Sequence, residues 1–317
     1  MPIQSFEFEL YRLNLVQEPP LLFKELNRPV YSDDSIVSIL KHAQLPDIKI
    51  VFAGSKNTFE WVVREFVRYH HNISDHGPVY GITIAKSVTE SVGEVVTDTG
   101  IEEDVSEPDP PLAATGRIFF YMQRHLIMVE RNSQITYTKR WRDALVMILK
   151  EAAKRLEFTG WMEFEPVPRH EEIFETFRSF DVLTRLRVIL RLPNPDLSRH
   201  SKDLYDRMSE SKIREYQQEM KNPNGLSKKE DRLPYASLEM ASLGYKKDEV
   251  TMEGFRNNRF DTVKTGGDAA RGTIIATKEQ MRSTRDAPED NNSKQIIAAL
   301  LMETDRLIAP RWKDTPE

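Results

Sequence analysis

The segment Leu183–Arg199, LTRLRVILRLPNPDLSR, carries the clearest structural pattern of the chain. Its first half alternates between apolar and basic side chains, with Ile189 as the exception among the basic set. The apolar positions are Leu186, Val188 and Leu190, and the basic positions are Arg185, Arg187 and Arg191. Because successive side chains of a strand point to opposite faces, this pattern predicts a strand with a buried apolar side and an arginine-lined side.

The second half of the segment predicts a turn followed by a helix start. Proline restricts the residue before it and ends strand pairing, and an aspartate after the turn can cap a helix. The predicted turn and cap residues are Pro193, Asn194, Pro195 and Asp196. A long charged helix is predicted over Leu197–Lys221, ending at Asn222-Pro223-Asn224-Gly225.

Three guanidinium groups on one sheet face can bind phosphates or carboxylates bidentately. The strand therefore favours a surface for the nucleic-acid backbone or for an acidic protein partner. Candidates that extend this surface are Arg117, Arg124, Lys139 and Arg140. The alternative is a solvated face whose arginines pair with Glu163 and Glu165 on a neighbouring strand, Trp161–Pro166. The aromatic residues near these positions, Phe119, Tyr121 and Trp161, alternate as core residues do.

Composition excludes several classes of protein. The chain has 317 residues, of which 39% are hydrophobic and 30% charged, as expected of a soluble globular protein. It has no cysteine, which excludes disulfides, cysteine-ligated metal centres and thiol catalysis. Neither a membrane-length apolar run nor a signal peptide is expected, so the prediction is a cytoplasmic protein without a membrane partner.

The formal net charge of -5 is unevenly distributed. Nine basic and eighteen acidic residues precede residue 116, whereas residues 116–232 contain 23 basic and 18 acidic residues. The middle of the chain is thus mildly basic and its first third acidic. Since binding to nucleic acid depends on the local patch, the acidic total does not exclude it.

The first 86 residues predict a layered α/β or α+β unit of alternating elements. Strands are predicted at Ser5–Asn14, Ile48–Phe52 and Val79–Ala85, and helices from Asp33 or Asp34 to about His42 and from Asn57 or Thr58 to about His70. Residues 87–112 form an acidic run that ends in prolines. This composition predicts a linker or long exposed loop, or else an acidic segment that shields the basic face.

Residues 113–317 predict a second, α+β unit that contains the arginine strand. Its predicted elements are a hairpin at Arg117–Glu130, an amphipathic helix at Lys139–Leu156, strands at Trp161–Val167, Glu249–Phe255 and Thr273–Thr277, and helices at Glu171–Phe180, at Tyr235–Leu243 and after Asn291 or Asn292. The predicted fold class is α+β, with two layered units of mixed sheet and flanking helices joined by the acidic linker.

No complete catalytic motif and no cofactor fingerprint occurs in the sequence. Three short matches are candidate sites: a metal site in RYHHNISDHG, a nuclease pair with Asp-x-Lys spacing, and a phosphate-binding loop at Lys264–Asp268. The first contains His70, His71, Asp75 and His76, and the second consists of Asp47 and Lys49. We expect no metal and no cofactor, because each match has a simpler structural explanation.

Four segments in order resemble a known family: RIFFYMQRHLIMVE (117–130), LTRLRVILRLPNPD (183–196), the charged helix after it, and ASLGYKKDEVTMEGF (241–255). The chain resembles an uncharacterised prokaryotic family, a domain of unknown function, over about Ala113–Phe255. Such families often lie in antiviral-defence or mobile-element neighbourhoods, so the resemblance implies a bacterial or phage cytoplasmic setting. It supplies no catalytic residues.

These observations favour a non-enzymatic binding subunit of a bacterial defence or mobile-element system. Its basic sheet face would bind nucleic acid or a protein partner. A metal-dependent nuclease and a structural protein-interaction subunit remain as alternatives. Homo-oligomers and hetero-complexes are both compatible with the sequence.

Overall fold

A computed structural model describes residues 3–16, 32–69, 77–96, 101–108, 111–158, 160–191 and 215–308, together with isolated positions between 204 and 213. The strands are β1 Gln4–Val16, β2 Ile50–Ala53, β3 Asn57–Tyr69, β4 Val79–Val96, β5 Ile101–Ser106, β6 Ala113–Tyr121, β7 Leu126–Glu130, β8 Trp161–Pro166, β9 Val182–Arg191, β10 Glu215–Lys221, β11 Lys246–Arg256, β12 Arg259–Thr265 and β13 Arg271–Ala276. The helices are α1 Asp33–His42, α2 Arg140–Arg155, α3 His170–Ser179, α4 Leu233–Ser242, α5 Lys278–Asp286 and α6 Asn291–Ile308.

Nine strands form the larger sheet, in the order β13-β1-β7-β6-β4-β3-β2, with β5 paired to β4 and β8 paired to β1. Successive residues of β1 face two different cores. Tyr11 and Leu13 pack with α1 and α2, while Phe8 and Leu10 pack with α6. The sheet is therefore covered by helices on both faces, and strands from both predicted units lie side by side in it.

The smaller sheet has the order β10-β9-β11-β12. Its inner face packs against α3 and α4 through residues such as Leu186, Leu190, Phe177 and Leu238. Every strand pair between described residues is antiparallel, whereas the sequence predicted mixed sheets. The predicted α+β class with two sheets is confirmed. Within the described residues, no helix has the length and apolar character needed to cross a bilayer.

The predicted helix at 57–70 is wrong, because these residues form β3. A β-bulge at Glu65, with φ of 58°, shifts the register between Arg64 and Val67. Before the bulge, side chains such as Trp61 contact the core of α1 and α2, and after it Tyr69 contacts the other core. The extra residue of a bulge changes which face the following side chains occupy. The apolar positions consequently recur with a spacing that resembles a helical period.

The acidic segment 87–112 also contains strands where a linker or loop was predicted. β4 continues to Val96 and pairs with β5 from Ser91↔Ser106 to Val96↔Ile101. Valine and isoleucine recur among the acidic residues of this segment, and β-branched residues favour strands. In the hairpin, the backbone N–H and C=O groups of this segment pair with each other, so the segment forms strands despite its charge.

The predicted charged helix 197–221 is wrong over its last part, where Glu215–Lys221 forms β10 and pairs with β9. Isolated positions from 204 to 210 are helical. The predicted turn and cap residues Pro193, Asn194, Pro195 and Asp196 lie outside the described residues. A charged sequence is compatible with a helix and with a strand. At 215–221 the strand forms because β9 offers an edge with which it can pair.

Candidate functional site

The arginine strand β9 has the predicted orientation. Leu186 and Leu190 are 0% exposed and Val188 is 2% exposed, all on the inner side of the smaller sheet. The opposite side is called the outer face here. Strand register assigns to it Arg185, Arg187, Ile189 and Arg191 of β9, Glu215, Gln217, Glu219 and Lys221 of β10, Lys247, Thr251, Glu253 and Phe255 of β11, and Phe260, Thr262 and Lys264 of β12.

Two of the three arginines form ion pairs. Arg185 donates from Nε to Glu219 Oε1 at 2.6 Å and from a terminal nitrogen to Glu253 Oε1 at 2.8 Å. Arg191 is only 6% exposed and bonds Glu163 of β8 and Glu215 of β10. For these two residues the structure agrees with the ion-paired alternative. The partners come mainly from β10 and β11, with Glu163 as the one contribution from the strand that the sequence had suggested.

Arg187 differs from its two neighbours. It is exposed, and the part of the chain that the structure describes places no carboxylate within 4.0 Å of it. It lines a depression of about 350 Å³ together with Thr251 and Lys264. Asp248 and Glu249 line the same depression. Arg187 is thus the arginine of β9 whose charge is available to a ligand.

An exposed aromatic pair lies on the same outer face. Phe255 and Phe260 are cross-strand partners, 43% and 58% exposed, with ring centroids 5.6 Å apart and an interplanar angle of 79°. Sequence reasoning missed this pair because it did not predict β12. The signal was the dipeptide Asn257-Asn258, whose residues adopt φ of 50° and 61°. Two consecutive positive φ values characterise the two-residue turns that join β-hairpins, and asparagine favours them.

The outer face has a small excess of positive charge. Its strand positions carry six basic residues, Arg185, Arg187, Arg191, Lys221, Lys247 and Lys264, and three acidic residues, Glu215, Glu219 and Glu253. Asp248 and Glu249 at the bulge of β11 reduce the excess from three charges to one. Positive and negative charges on the face are therefore nearly equal in number, and the basic residues without an acidic partner among the described residues are chiefly Arg187 and Lys264.

The four residues expected to extend the basic face belong to the larger sheet and its connections. Arg117 is 8% exposed and donates to Tyr69 Oη and to the Thr284 carbonyl, both at 3.0 Å. Arg124 pairs with Asp305 at 3.1 Å. Lys139 and Arg140 are exposed at the start of α2. Strand register brings none of these four described residues onto the outer face.

The candidate nuclease residues are paired elsewhere. Asp47 contacts Arg155 at 2.5 Å, and Lys49 contacts Glu60 at 2.6 Å. In the Lys264–Asp268 loop, the Gly266 N–H donates to Glu172 Oε1 at 2.9 Å, so a carboxylate occupies the place suggested for phosphate. No cluster of three potential metal ligands occurs within the described residues. His70, His71, Asp75 and His76 lie outside them.

Glu163 gives a pH-dependent link between the two sheets. Burial alone would raise the pKa of Glu163, but hydrogen bonds from Arg191 and Trp161 outweigh it and hold that pKa below its usual value. Such a carboxylate stabilises the fold at pH above the unfolded-state pKa, and this contribution is lost as the pH falls through the folded-state pKa. We expect Glu163→Gln to weaken the dependence of the unfolding free energy on pH between about pH 7 and about pH 3.

Urea unfolding at a series of pH values measures this effect. Glu289→Gln, on an exposed loop, is the matched control and should retain the wild-type pH dependence. An unchanged pH dependence in Glu163→Gln would show that the Arg191–Glu163 contact does not contribute to the pH dependence of the unfolding free energy.

Comparison with known proteins gives one family match. A family model described as a domain of unknown function (DUF4747) matches residues 27–259, from before α1 to the first residue of β12. No curated protein matches the chain.

Proposed function

The chain belongs to the DUF4747 family, and we propose that the outer face of its smaller sheet binds single-stranded nucleic acid. The proposal is for a binding protein and not for an enzyme. An antiviral-defence or mobile-element setting stays a prediction from the resemblance.

The observation that carries the proposal is the exposed Phe255–Phe260 pair on the same sheet face as the exposed Arg187 and Lys264. Single-stranded nucleic acid is commonly bound by aromatic rings on which bases stack and by cations that contact the phosphates. Four-stranded sheets with exposed aromatics serve as such platforms for RNA. Two phenylalanines exposed to water on a sheet face are otherwise unfavourable, because their apolar area gains nothing from solvation.

The spacing of these groups suits a short oligonucleotide. Arg187 lies opposite Thr251, which is four residues from Phe255 along β11. At about 3.3 Å per residue, this separation is about 13 Å. Lys264 pairs with Thr251 from the other side. A strand whose bases contact the two rings can therefore bring its phosphates to Arg187 and Lys264.

The paired arginines contribute differently. Arg185 is held by Glu219 and Glu253, so a phosphate at this position would have to compete with two carboxylates. Arg191 is buried between β8 and β10 and is not accessible to a ligand. The structure therefore supports a face in which stacking supplies much of the affinity and the unpaired basic residues supply the salt-dependent part.

The salt dependence of binding tests this division. We expect Arg187→Ala combined with Lys264→Ala to flatten the plot of log binding constant against log salt by about 1.4, since each phosphate contact on single strands contributes about 0.7. Fluorescence anisotropy of a labelled oligothymidylate of about 12 nucleotides measures it. Lys229→Ala combined with Arg232→Ala removes two exposed charges outside the face and should leave the slope unchanged.

Two outcomes would contradict the proposal. The wild-type protein could fail to bind any single-stranded oligonucleotide at low salt, or the Arg187 and Lys264 variant could bind with the wild-type slope. If the protein instead captured a defined acidic protein and lost it in this variant, the outer face would be a protein-binding surface.

A further inference from the structure

A cavity of about 760 Å³ lies over β1, on the face of the larger sheet that Tyr11 and Trp141 share. Alternate residues of β1, Glu7, Glu9 and Tyr11, line it from the sheet. The segment before α2 and the first turn of that helix line it as well, and so does the loop between β12 and β13. Its volume is in the range typical of sites for small ligands.

The carboxylates of β1 are already neutralised. Glu9, 13% exposed, accepts a hydrogen bond from Tyr11 Oη at 2.8 Å and lies 3.9 Å from Arg131 Nε and 3.6 Å from Arg271 Nε. Glu7 also pairs with Arg131. These groups form a closed network of opposite charges, which gives this side of the cavity polarity without excess charge.

Two cations at the start of α2, Lys139 and Arg142, form no ion pair with the described residues. Among the described residues, neither Lys139 nor Arg142 has a carboxylate within 4.0 Å. One terminal nitrogen of Arg142 donates a hydrogen bond to the Phe164 carbonyl at 3.3 Å. Arg140 adds a third positive charge to this turn, and Asp143 adds one negative charge. Basic residues there oppose the helix dipole, which favours negative charge at this end. Both Lys139 and Arg142 line the cavity, so an anion bound in it would relieve this repulsion.

An aromatic ring stands beside these cations. Tyr137, in the segment before α2, also lines the cavity and is 87% exposed. A tyrosine ring that buries little of its area in the free protein offers a surface on which a planar ring can stack. The cavity thus combines an available aromatic face with two cations that have no carboxylate within 4.0 Å among the described residues. Its remaining lining includes the apolar side chains Phe6, Trp141 and Ala269 and two further carboxylates, Glu130 and Asp268.

We infer that this cavity binds a small phosphorylated ligand that carries a planar ring, of the nucleoside phosphate class. Lys139 and Arg142 contact the phosphates, and Tyr137 stacks on the ring. The inference is independent of the outer face, because the cavity and the outer face share no residue. It also gives Lys139 a role apart from the basic sheet face to which the sequence had assigned it.

Isothermal titration calorimetry of the full chain with ATP, adenosine and inorganic phosphate tests this inference. We expect ATP to bind at one site, and adenosine and phosphate to bind at least about tenfold more weakly, because each lacks one half of the contacts. Failure of ATP to bind at millimolar concentration would overturn the inference. Equal affinities for ATP and inorganic phosphate would overturn its nucleoside part.

Variants locate the site. Lys139→Ala should weaken ATP binding at least about tenfold, since a charge-assisted hydrogen bond to phosphate is lost. Tyr137→Ala should weaken it as well. Lys154→Ala removes an exposed lysine near the other end of α2 and should bind ATP as the wild type does. All three positions are exposed, so the fold should be retained, which circular dichroism verifies.

A further variant separates this inference from the proposed function. Phe255→Ala combined with Phe260→Ala should bind ATP with unchanged affinity, whether or not it binds oligonucleotides. Loss of ATP binding in this variant, with retention in Lys139→Ala, would place the nucleotide on the outer face and overturn the inference.

Discussion

Replacing Phe255 and Phe260 together by alanine should weaken the binding of single-stranded oligonucleotides about thirtyfold or more at constant salt. Stacking of a base on an aromatic side chain contributes about 1–3 kcal/mol. Two rings therefore contribute about 2–6 kcal/mol, and each 1.4 kcal/mol is about tenfold in affinity. Because the rings are 43% and 58% exposed, their removal should have little effect on folding. Fluorescence anisotropy titrations and thermal unfolding measure the two quantities.

The matched control keeps the rings. Phe255→Tyr combined with Phe260→Tyr preserves two planar aromatic surfaces and should retain most of the affinity, since stacking depends on the ring and not on its substituent. The salt slope should be similar in both double variants, because neither changes a phosphate contact. Wild-type affinity in the alanine variant would exclude stacking on this pair, and the outer face would then bind through its charges alone or not at all.

Replacing Arg12 by alanine should lower the free energy of unfolding by about 2–6 kcal/mol. Arg12 is 1% exposed and donates from Nε to the Leu243 carbonyl at 3.0 Å and from a terminal nitrogen to the Arg124 carbonyl at 2.5 Å. Its guanidinium lies 4.2 Å from the centroid of the Tyr245 ring. Removing the side chain leaves two partly buried carbonyls without these donors, and each unsatisfied group costs about 1–3 kcal/mol.

The position of Arg12 explains the size of the expected effect. It belongs to β1 of the larger sheet, and Leu243 and Tyr245 lie between α4 and β11 of the smaller one. Loss of its contacts therefore loosens the junction between the two sheets. Urea unfolding measures the change. Arg282→Ala, which removes an exposed arginine from α5, should change stability by less than about 1 kcal/mol. An equally small change in Arg12→Ala would show that the hydrogen bonds of Arg12 contribute little to the junction.

Several elements could be predicted because their patterns are local. The alternation in β9 identifies both its strand conformation and its buried side. The stripe of Trp141, Leu145 and Ile148 similarly predicts α2 and its core-facing side. In both cases the spacing of apolar residues matches one backbone period, so no distant part of the chain is needed to interpret it.

The failures occur where the local pattern is ambiguous. In β3, the bulge at Glu65 produces a helix-like spacing. In β10, the charged sequence is compatible with a helix until β9 provides a pairing edge. β12 was missed, and with it the aromatic pair, because Phe255 and Phe260 become neighbours only when the turn at Asn257-Asn258 closes the hairpin. Strand formation depends on a partner, which periodicity does not reveal.

The arginines of β9 show what the sequence by itself determined and what only the tertiary structure decided. Alternation places Arg185, Arg187 and Arg191 on one face, because side-chain direction in a strand follows from local backbone geometry. Whether each of these charges is available to a ligand depends on distant residues. Arg185 is neutralised by Glu219 and Glu253, which are 34 and 68 residues away, and Arg191 by Glu163, 28 residues away. Strand pairing brings Thr251 beside Arg187 on β11 and Glu219 beside it on β10, and Arg187 stays available because Glu219 bonds Arg185 instead. Coulomb energy depends on distance in space, and only the pairing of strands determines that distance.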